Sequence, residues 1–248
     1  MRKRNRPPAT RIGSADVETD EAFRVLRSNL LVTLSDLANP IVVITSAQAG
    51  EGKTSTCAGL ATALASTGRR VVVVDFDLRR PDLHKHLDAA NDVGVSSFLL
   101  GERPLAECLQ YVSLPPAPGG ADAGLYLLAA GPLVASPAEL LSSVRIKRLL
   151  DALAAQADVV LIDSPPVLPI VDTLEICRRA AGAILVVEVR RTEIGAAQRA
   201  KDALIQNQTR LLGVIVNKVP RSELSYGYGD AAVVEVAPSA NGSEAGGS

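Results

Sequence analysis

Apolar residues along the chain gather into short β-branched runs, separated by longer stretches with helical spacing. The runs are IVVIT at 41–45, VVVVDFD at 71–77, LYLLA at 125–129, DVVLID at 158–163, AILVVEV at 183–189 and LLGVIVN at 211–217. Each is continuously apolar rather than alternating, the pattern of a strand covered on both faces. Ahead of the first run, EAFRVLRSNLLVTLSDL at 21–37 places Phe23, Leu26, Leu30, Leu34 and Leu37 on one side of a helix. Asp20 suits the cap of that helix, and Pro40 stops the pattern. Strand alternating with helix predicts an α/β fold, a mostly parallel sheet with helices on both faces.

Proline and glycine in SLPPAPGGADAG mark 113–124 as a surface loop. From Arg221 onward Ser, Gly, Ala and Glu follow without periodicity. The expected division is a basic, polar segment at 1–19, one domain at 20–220 and a flexible, tyrosine-bearing tail at 221–248.

Composition narrows this picture. A chain of 248 residues holds one such domain with a sizeable core. Aromatics are 3% and Trp is absent, so Val, Leu, Ile and Ala must build that core. A net charge of −1 gives no global field toward nucleic acid. MRKRNRPP, with Arg2, Lys3, Arg4 and Arg6, is a local exception: a solvated tail, or a tract that sits against anionic lipid or follows a membrane span outside this chain. No apolar run reaches the about eighteen residues of a membrane helix and no signal-peptide core follows the basic start, so the chain is expected in the cytosol. Cys57, Cys108 and Cys177 are too scattered for a disulfide framework or a metal site, which leaves them as buried fillers.

The candidate chemistry begins at SAQAGEGKTST, 46–56. Ala47 to Thr54 reads A-x-x-x-x-G-K-T, a phosphate loop with Ala in place of the first Gly. A buried strand enters it and a helix leaves it, so backbone N–H groups and a helix N-terminus can converge on phosphate oxygens. Ala49, Gly50, Glu51, Gly52, Lys53, Thr54 and Ser55 form this candidate cradle. Lys53 reaches the β and γ phosphates and the Thr54 hydroxyl ligates Mg²⁺. Asp75 and Asp77 close one apolar run and Asp163 closes another, with Asp77 and Asp163 as further metal candidates. Any one such Asp could instead cap a helix or make a turn. NKVP at 217–220 begins like a guanine-reading motif, but Pro220 stands where a carboxylate is needed. ATP is therefore the expected nucleotide, and Asn217 either contacts the adenine edge or forms a turn. Arg79 and Arg80 could neutralise phosphate or make surface ion pairs. His84 and His86, two apart, do not share a helix face, so both are expected to be structural.

The succession EAFRVLRSNL, AGEGKTS, VVVVDFDLRRPDLHKHL, GVSSFLLGE, AAGPLVASPAELL, DVVLIDSPPV and LLGVIVNKV resembles the bacterial tyrosine kinases of capsule and exopolysaccharide synthesis, which have a deviant phosphate-loop ATPase fold. The resemblance runs from about Glu21 to Val219. It implies autophosphorylation of tail tyrosines, here Tyr226 and Tyr228, on a neighbouring subunit. Lys53, Asp75 and Asp77 are the implied catalytic residues, one of the two aspartates taking the phenolic proton. Glu21, Arg24 and Arg27 form E-x-x-R-x-x-R, which the resemblance links to a ring-like homo-oligomer; by itself the spacing also fits an intrahelical ion pair. The implied partner is a membrane polysaccharide co-polymerase, or a membrane part of the same longer protein, with the kinase at the inner face of the cell membrane. The tail departs from the family's dense tyrosine cluster in having only two. Two other readings stand beside the kinase. One is a partition- or septum-type ATPase, although Gln48 lies where those relatives carry a second lysine. The other is an ATP-gated interaction module.

Overall fold

Val, Ile and Leu in unbroken runs bury both faces of a strand, and the computed structural model arranges six such strands side by side in parallel. It describes residues 17–35, 37–115, 123–137, 140, 144–169 and 172–220. Residues 1–16 of the basic segment, Tyr226, Tyr228 and positions 116–122 of the expected loop lie outside the described residues.

The elements in chain order are α1 (Val17–Ser35), β1 (Ile41–Ser46), α2 (Lys53–Ala65), β2 (Val71–Asp75), α3 (Leu83–His86), α4 (Val95–Leu100), α5 (Leu105–Cys108), β3 (Leu109–Ser113) and β4 (Gly124–Leu128). They continue with α6 (Val144–Ala154), β5 (Val159–Asp163), α7 (Asp172–Cys177), β6 (Gly182–Glu188), α8 (Ile194–Gln206) and β7 (Leu211–Asn217). The sheet order is β3-β4-β2-β5-β1-β6-β7. Only β3 runs antiparallel, pairing with β4 at the edge.

Alternation along each strand sorts its side chains between two cores. Ile41, Val43, Val72, Val74, Val160 and Ile162 face a cluster with Ile146, Leu149 and Leu153 of α6 and Ala196, Ala200 and Leu204 of α8. Val42, Ile44, Val71, Val73, Val159 and Leu161 face a second cluster with Leu26 and Leu30 of α1 and Leu60 and Leu64 of α2. Helices therefore cover both faces. Each fully buried Val or Leu contributes roughly 1.5–3 kcal/mol relative to exposure, so the two layers carry most of the drive to fold.

The register determines where the chemistry collects. Asp75 on β2 pairs with Asp163 on β5, and Ile44 on β1 pairs with Asp163 from the other side. The carboxyl ends of three neighbouring strands thus open onto one crevice.

Several expectations need correction. Asp20 lies inside α1, which begins at Val17, so it is not the cap. The run VVVVDFD is a strand only to Asp75; Asp77 lies beyond it. Strand β3 has no counterpart in the apolar runs. It is a half-exposed edge segment, LQYVS, whose pairing to β4 takes Ser113 and Gly124 out of the expected loop. Cys57, Cys108 and Cys177 are free and buried, as composition suggested. Among the described residues no helix is long and apolar enough to cross a membrane.

Helix α1 docks on α2 at a glycine. A Cβ on Gly59 would lie 2.3 to 2.7 Å from the ring carbons of Phe23, so the ring fills the space a side chain would take. Gly59→Val is therefore expected to destabilise the protein by about 1–3 kcal/mol in urea unfolding. Adding Phe23→Ala should recover part of that loss; strict additivity of the two changes would show that the ring and Gly59 do not share this contact.

Candidate functional site

Strand β1 is buried throughout and delivers the chain to residues 47–52, after which α2 starts at Lys53. The turn needs glycine at two points. Gly50 has φ 85° and Gly52, the residue before α2, has φ 89°, both in the left-handed region. At Gly52 a Cβ would also lie 2.0 Å from the Asn217 amide nitrogen, so a side chain is excluded twice over.

Lys53 points into the crevice between two acids. Its Nζ lies 3.4 Å from Asp77 Oδ2 and 3.6 Å from Asp163 Oδ1, with the Lys53 side chain only 11% exposed. It also donates a hydrogen bond of 3.2 Å to Thr54 Oγ1. Burial works against the ammonium, but the Asp163, Asp77 and Asp75 carboxylates together hold its pKa above the ordinary value.

The three acids are not equivalent. Asp75 is fully buried and accepts backbone N–H bonds from Asp77 at 3.0 Å, Asp82 at 3.2 Å and Leu83 at 3.1 Å. It organises the turn after β2. Burial, reinforced by the Asp163 charge, pushes its pKa up to about 7 against the lowering effect of those bonds. Asp77 accepts the Arg80 N–H at 3.0 Å through one oxygen and faces Lys53 with the other. Asp163 is 1% exposed, and its carboxylate is met by the Lys53 ammonium, 3.6 Å from Oδ1, and by the Thr54 hydroxyl rather than by backbone N–H groups. Burial raises its pKa to about 6, opposed chiefly by Lys53.

A buried carboxylate held only by the Lys53 ammonium and the Thr54 hydroxyl, beside Asp77, is a hard-oxygen donor set that fits Mg²⁺. Among the described residues no three His, Cys, Asp or Glu side chains gather to hold an ion alone. Mg²⁺ takes one or two carboxylates and completes its shell with water and phosphate.

The loop is held from the β6 and β7 side. The Asn217 amide donates to Glu51 O at 3.0 Å. Lys218 Nζ donates to Gly50 O at 2.9 Å, and Arg191 donates to the same oxygen at 3.2 Å. Glu51, 1% exposed, accepts the Gln48 N–H at 2.8 Å and the Thr192 hydroxyl. Thr192, Arg191 and Lys218 were missed from sequence. They lie 141 to 168 positions from their loop partners, and no spacing rule links them.

The other candidates are sorted as follows. Glu21 and Arg24 make an exposed intrahelical ion pair of 2.8 Å, while Arg27 donates to Ala63 O near the end of α2. The Arg79 and Arg80 side chains are exposed beside Asp77. His86 lies 3.5 Å from Asp82, and His84 carries a buried Nδ1 without a hydrogen bond.

A parallel sheet, a left-handed glycine turn into a helix, and a lysine between strand-end carboxylates together define a phosphate-loop nucleotide-binding domain. The family model described as the CobQ/CobB/MinD/ParA nucleotide binding domain matches residues 42–227. The tyrosine-protein kinase YwqD of Bacillus subtilis is 36% identical over 84% of this chain and 85% of its own length. The putative tyrosine-protein kinase EpsB of Ralstonia nicotianae is 32% identical over 84% of this chain, which spans only 27% of that protein. The kinase domain of the Escherichia coli tyrosine kinase ETK superposes with a TM-score of 0.74 at 29% identity, covering 84% of this chain and 80% of that one. More distant is a cobyrinic acid a,c-diamide synthase from Mycobacterium smegmatis with bound ATP analog and magnesium, at TM-score 0.58 and 26% identity, covering 75% and 76%. The chain belongs to the CobQ/CobB/MinD/ParA nucleotide-binding family and, within it, to the bacterial tyrosine-protein kinases.

The two raised carboxyls have a consequence for stability. Each binds its proton more tightly in the folded state, so its contribution is complete below the ordinary value of 3.8 and is lost as pH rises through about 6 for Asp163 and about 7 for Asp75. Thermal melts of the nucleotide-free protein should show a falling Tm between about pH 4 and 7. Asp163→Asn should flatten part of that fall and raise Tm at the alkaline end; an unaltered slope would contradict the origin given to it.

Proposed function

We propose that this chain is an ATP-dependent protein-tyrosine autokinase serving capsule or exopolysaccharide synthesis. The observation that carries the reading is Lys53, held at the head of α2 between Asp77 and Asp163. A buried cation there meets phosphate at the end of a glycine turn. The tyrosine-kinase names of the relatives and the motif succession support the choice of acceptor.

In this reading Lys53 and the N–H groups of residues 49–55 orient the β and γ phosphates of ATP. Thr54, Asp77 and Asp163 hold Mg²⁺. The ion, when bound, offsets the charge on the phosphate oxygens, which phosphoryl transfer requires. Of Asp75 and Asp77, Asp77 takes the proton of the attacking phenol, because it faces Lys53 with an oxygen free of backbone bonds. Asp75, committed to three N–H groups, positions the turn that carries Asp77. Asn217 sets the spacing of the loop rather than reading the base, since its amide is committed to Glu51 O.

The acceptors are Tyr226 and Tyr228. Tyr111 and Tyr126 lie in β3 and β4, their rings meeting edge to face with centroids 5.5 Å apart, so strand pairing holds both in the sheet of their own subunit. Transfer occurs between subunits of a ring-like homo-oligomer through Glu21, Arg24 and Arg27, whose exposed acid and guanidinium lie on one side of α1. A membrane polysaccharide co-polymerase, or a membrane part of a longer protein, holds the kinase at the inner face of the cell membrane and activates it.

Purified protein incubated with Mg²⁺ and ATP, with and without an activator peptide, tests this by mass spectrometry. Phosphate on Tyr226 or Tyr228 that vanishes in Lys53→Met is expected. ADP release without phosphotyrosine would move the assignment to a partition-type ATPase, and silence in every arm to an ATP-gated interaction module. Asp77→Asn is expected to slow transfer by about a hundredfold or more while weakening nucleotide binding far less. Single-turnover rates check this, and an equal loss in Asp75→Asn would return a share of the proton transfer to Asp75.

A further inference from the structure

A loop that turns through two left-handed glycines has many conformations open to it, and only some aim its N–H groups at a phosphate. Something must select among them. Lys53 and Gly52 determine where the loop ends, but the stretch from Gln48 to Glu51 has its own support, and it comes from a distant part of the chain.

Glu51 is an acid within the phosphate cradle, at 1% exposure. One of its oxygens accepts the Gln48 N–H at 2.8 Å, which folds the loop back on itself. The other accepts the hydroxyl of Thr192, just ahead of α8. The Thr192 oxygen in turn accepts the Glu188 N–H at 2.8 Å, so an unbroken chain of hydrogen bonds runs from the end of β6 into the loop. A second clasp lies alongside. Arg191 and Lys218 each bond Glu188 at 2.9 Å and each also reach Gly50 O. The backbone bends to allow this: Arg190 has φ 60° and Lys218 φ 58°, left-handed conformations that cost of order 1 kcal/mol or more at non-glycine residues. Such strain persists only where surrounding contacts hold it.

We propose that Thr192 and Glu51 are positioning residues for the nucleotide, a latch that holds the phosphate loop in its binding shape before ATP arrives. The inference rests on the reading of this loop as an ATP site. The Glu51 backbone N–H belongs to the cradle; the latch is made by its side chain and that of Thr192, neither of which touches the reacting atoms in this reading. The latch removes loop disorder that binding would otherwise have to suppress, so its loss falls on affinity rather than on the transfer step.

Three variants separate this from a purely structural role. Thr192→Val keeps the shape and removes the hydroxyl, Thr192→Ser keeps the hydroxyl, and Glu51→Gln keeps one acceptor oxygen where the carboxylate has two. Titration with adenylyl imidodiphosphate and Mg²⁺, beside urea unfolding of each protein, should show a folded Thr192→Val protein whose affinity falls about tenfold or more, the effect of losing a bond to a buried charge. Thr192→Ser should stay within about twofold of wild type, and Glu51→Gln should fall between. In the kinase assay KM should rise with kcat little changed. Wild-type affinity in Thr192→Val, or an equal loss in Thr192→Ser, overturns the latch. If Thr192→Val does not fold, Glu51→Gln decides, and undiminished affinity there overturns the proposal. Wild-type protein that fails to bind the analogue sinks the ATP-site reading itself, and the latch with it.

Discussion

A lysine ammonium that is nearly buried survives only if opposite charge compensates the lost hydration, and here the compensation comes from Asp77 and Asp163 at 3.4 and 3.6 Å. Everything else about the site follows from that balance. Three acids surround one base, so the crevice carries more negative charge than its lysine can offset. Burial first, and the neighbouring carboxylates after it, raise the pKa of Asp75 to about 7 and that of Asp163 to about 6. A bare polyphosphate would meet repulsion from such a cluster. A divalent cation shared between carboxylate and phosphate resolves the conflict, and Asp163, which accepts no backbone N–H, is a carboxylate suited to hold one.

The sheet makes this charge arrangement affordable. Strands β1, β2 and β5 are apolar on both faces and locked between two helical layers, so their ends cannot drift apart. Asp75 and Asp163 are register partners, and the Phe76 N–H donates to Asp163 O at 2.8 Å. The acids are therefore held together by backbone pairing, against their own repulsion. On the opposite flank the loop is tied to β6 and β7 by Thr192, Arg191, Lys218 and Asn217. The phosphate loop sits between a rigid acidic wall and a hydrogen-bonded clasp, and its own glycines supply the only freedom it needs.

Much of this was legible in the order of residues. Unbroken Val and Ile runs reveal strands covered on both faces, and G-K-T after such a run places a lysine at the head of a helix, because these are local consequences of side-chain size and backbone freedom. The acids at 75, 77 and 163 could be listed for the same reason: each ends an apolar run. Their division of labour could not. Which two of them meet Lys53 and which one accepts three backbone N–H groups depends on how β2 and β5 lie beside β1, a matter of sheet order. Strand β3 was illegible because a half-exposed edge needs no apolar run, only a partner. Glu51 looked like one more loop residue until Thr192 came within reach, since a contact across 141 positions leaves no local pattern. The sequence alone determined the elements and the chemical groups they carry; tertiary packing alone decided which groups meet, because burial and pairing act between segments that the chain does not make neighbours.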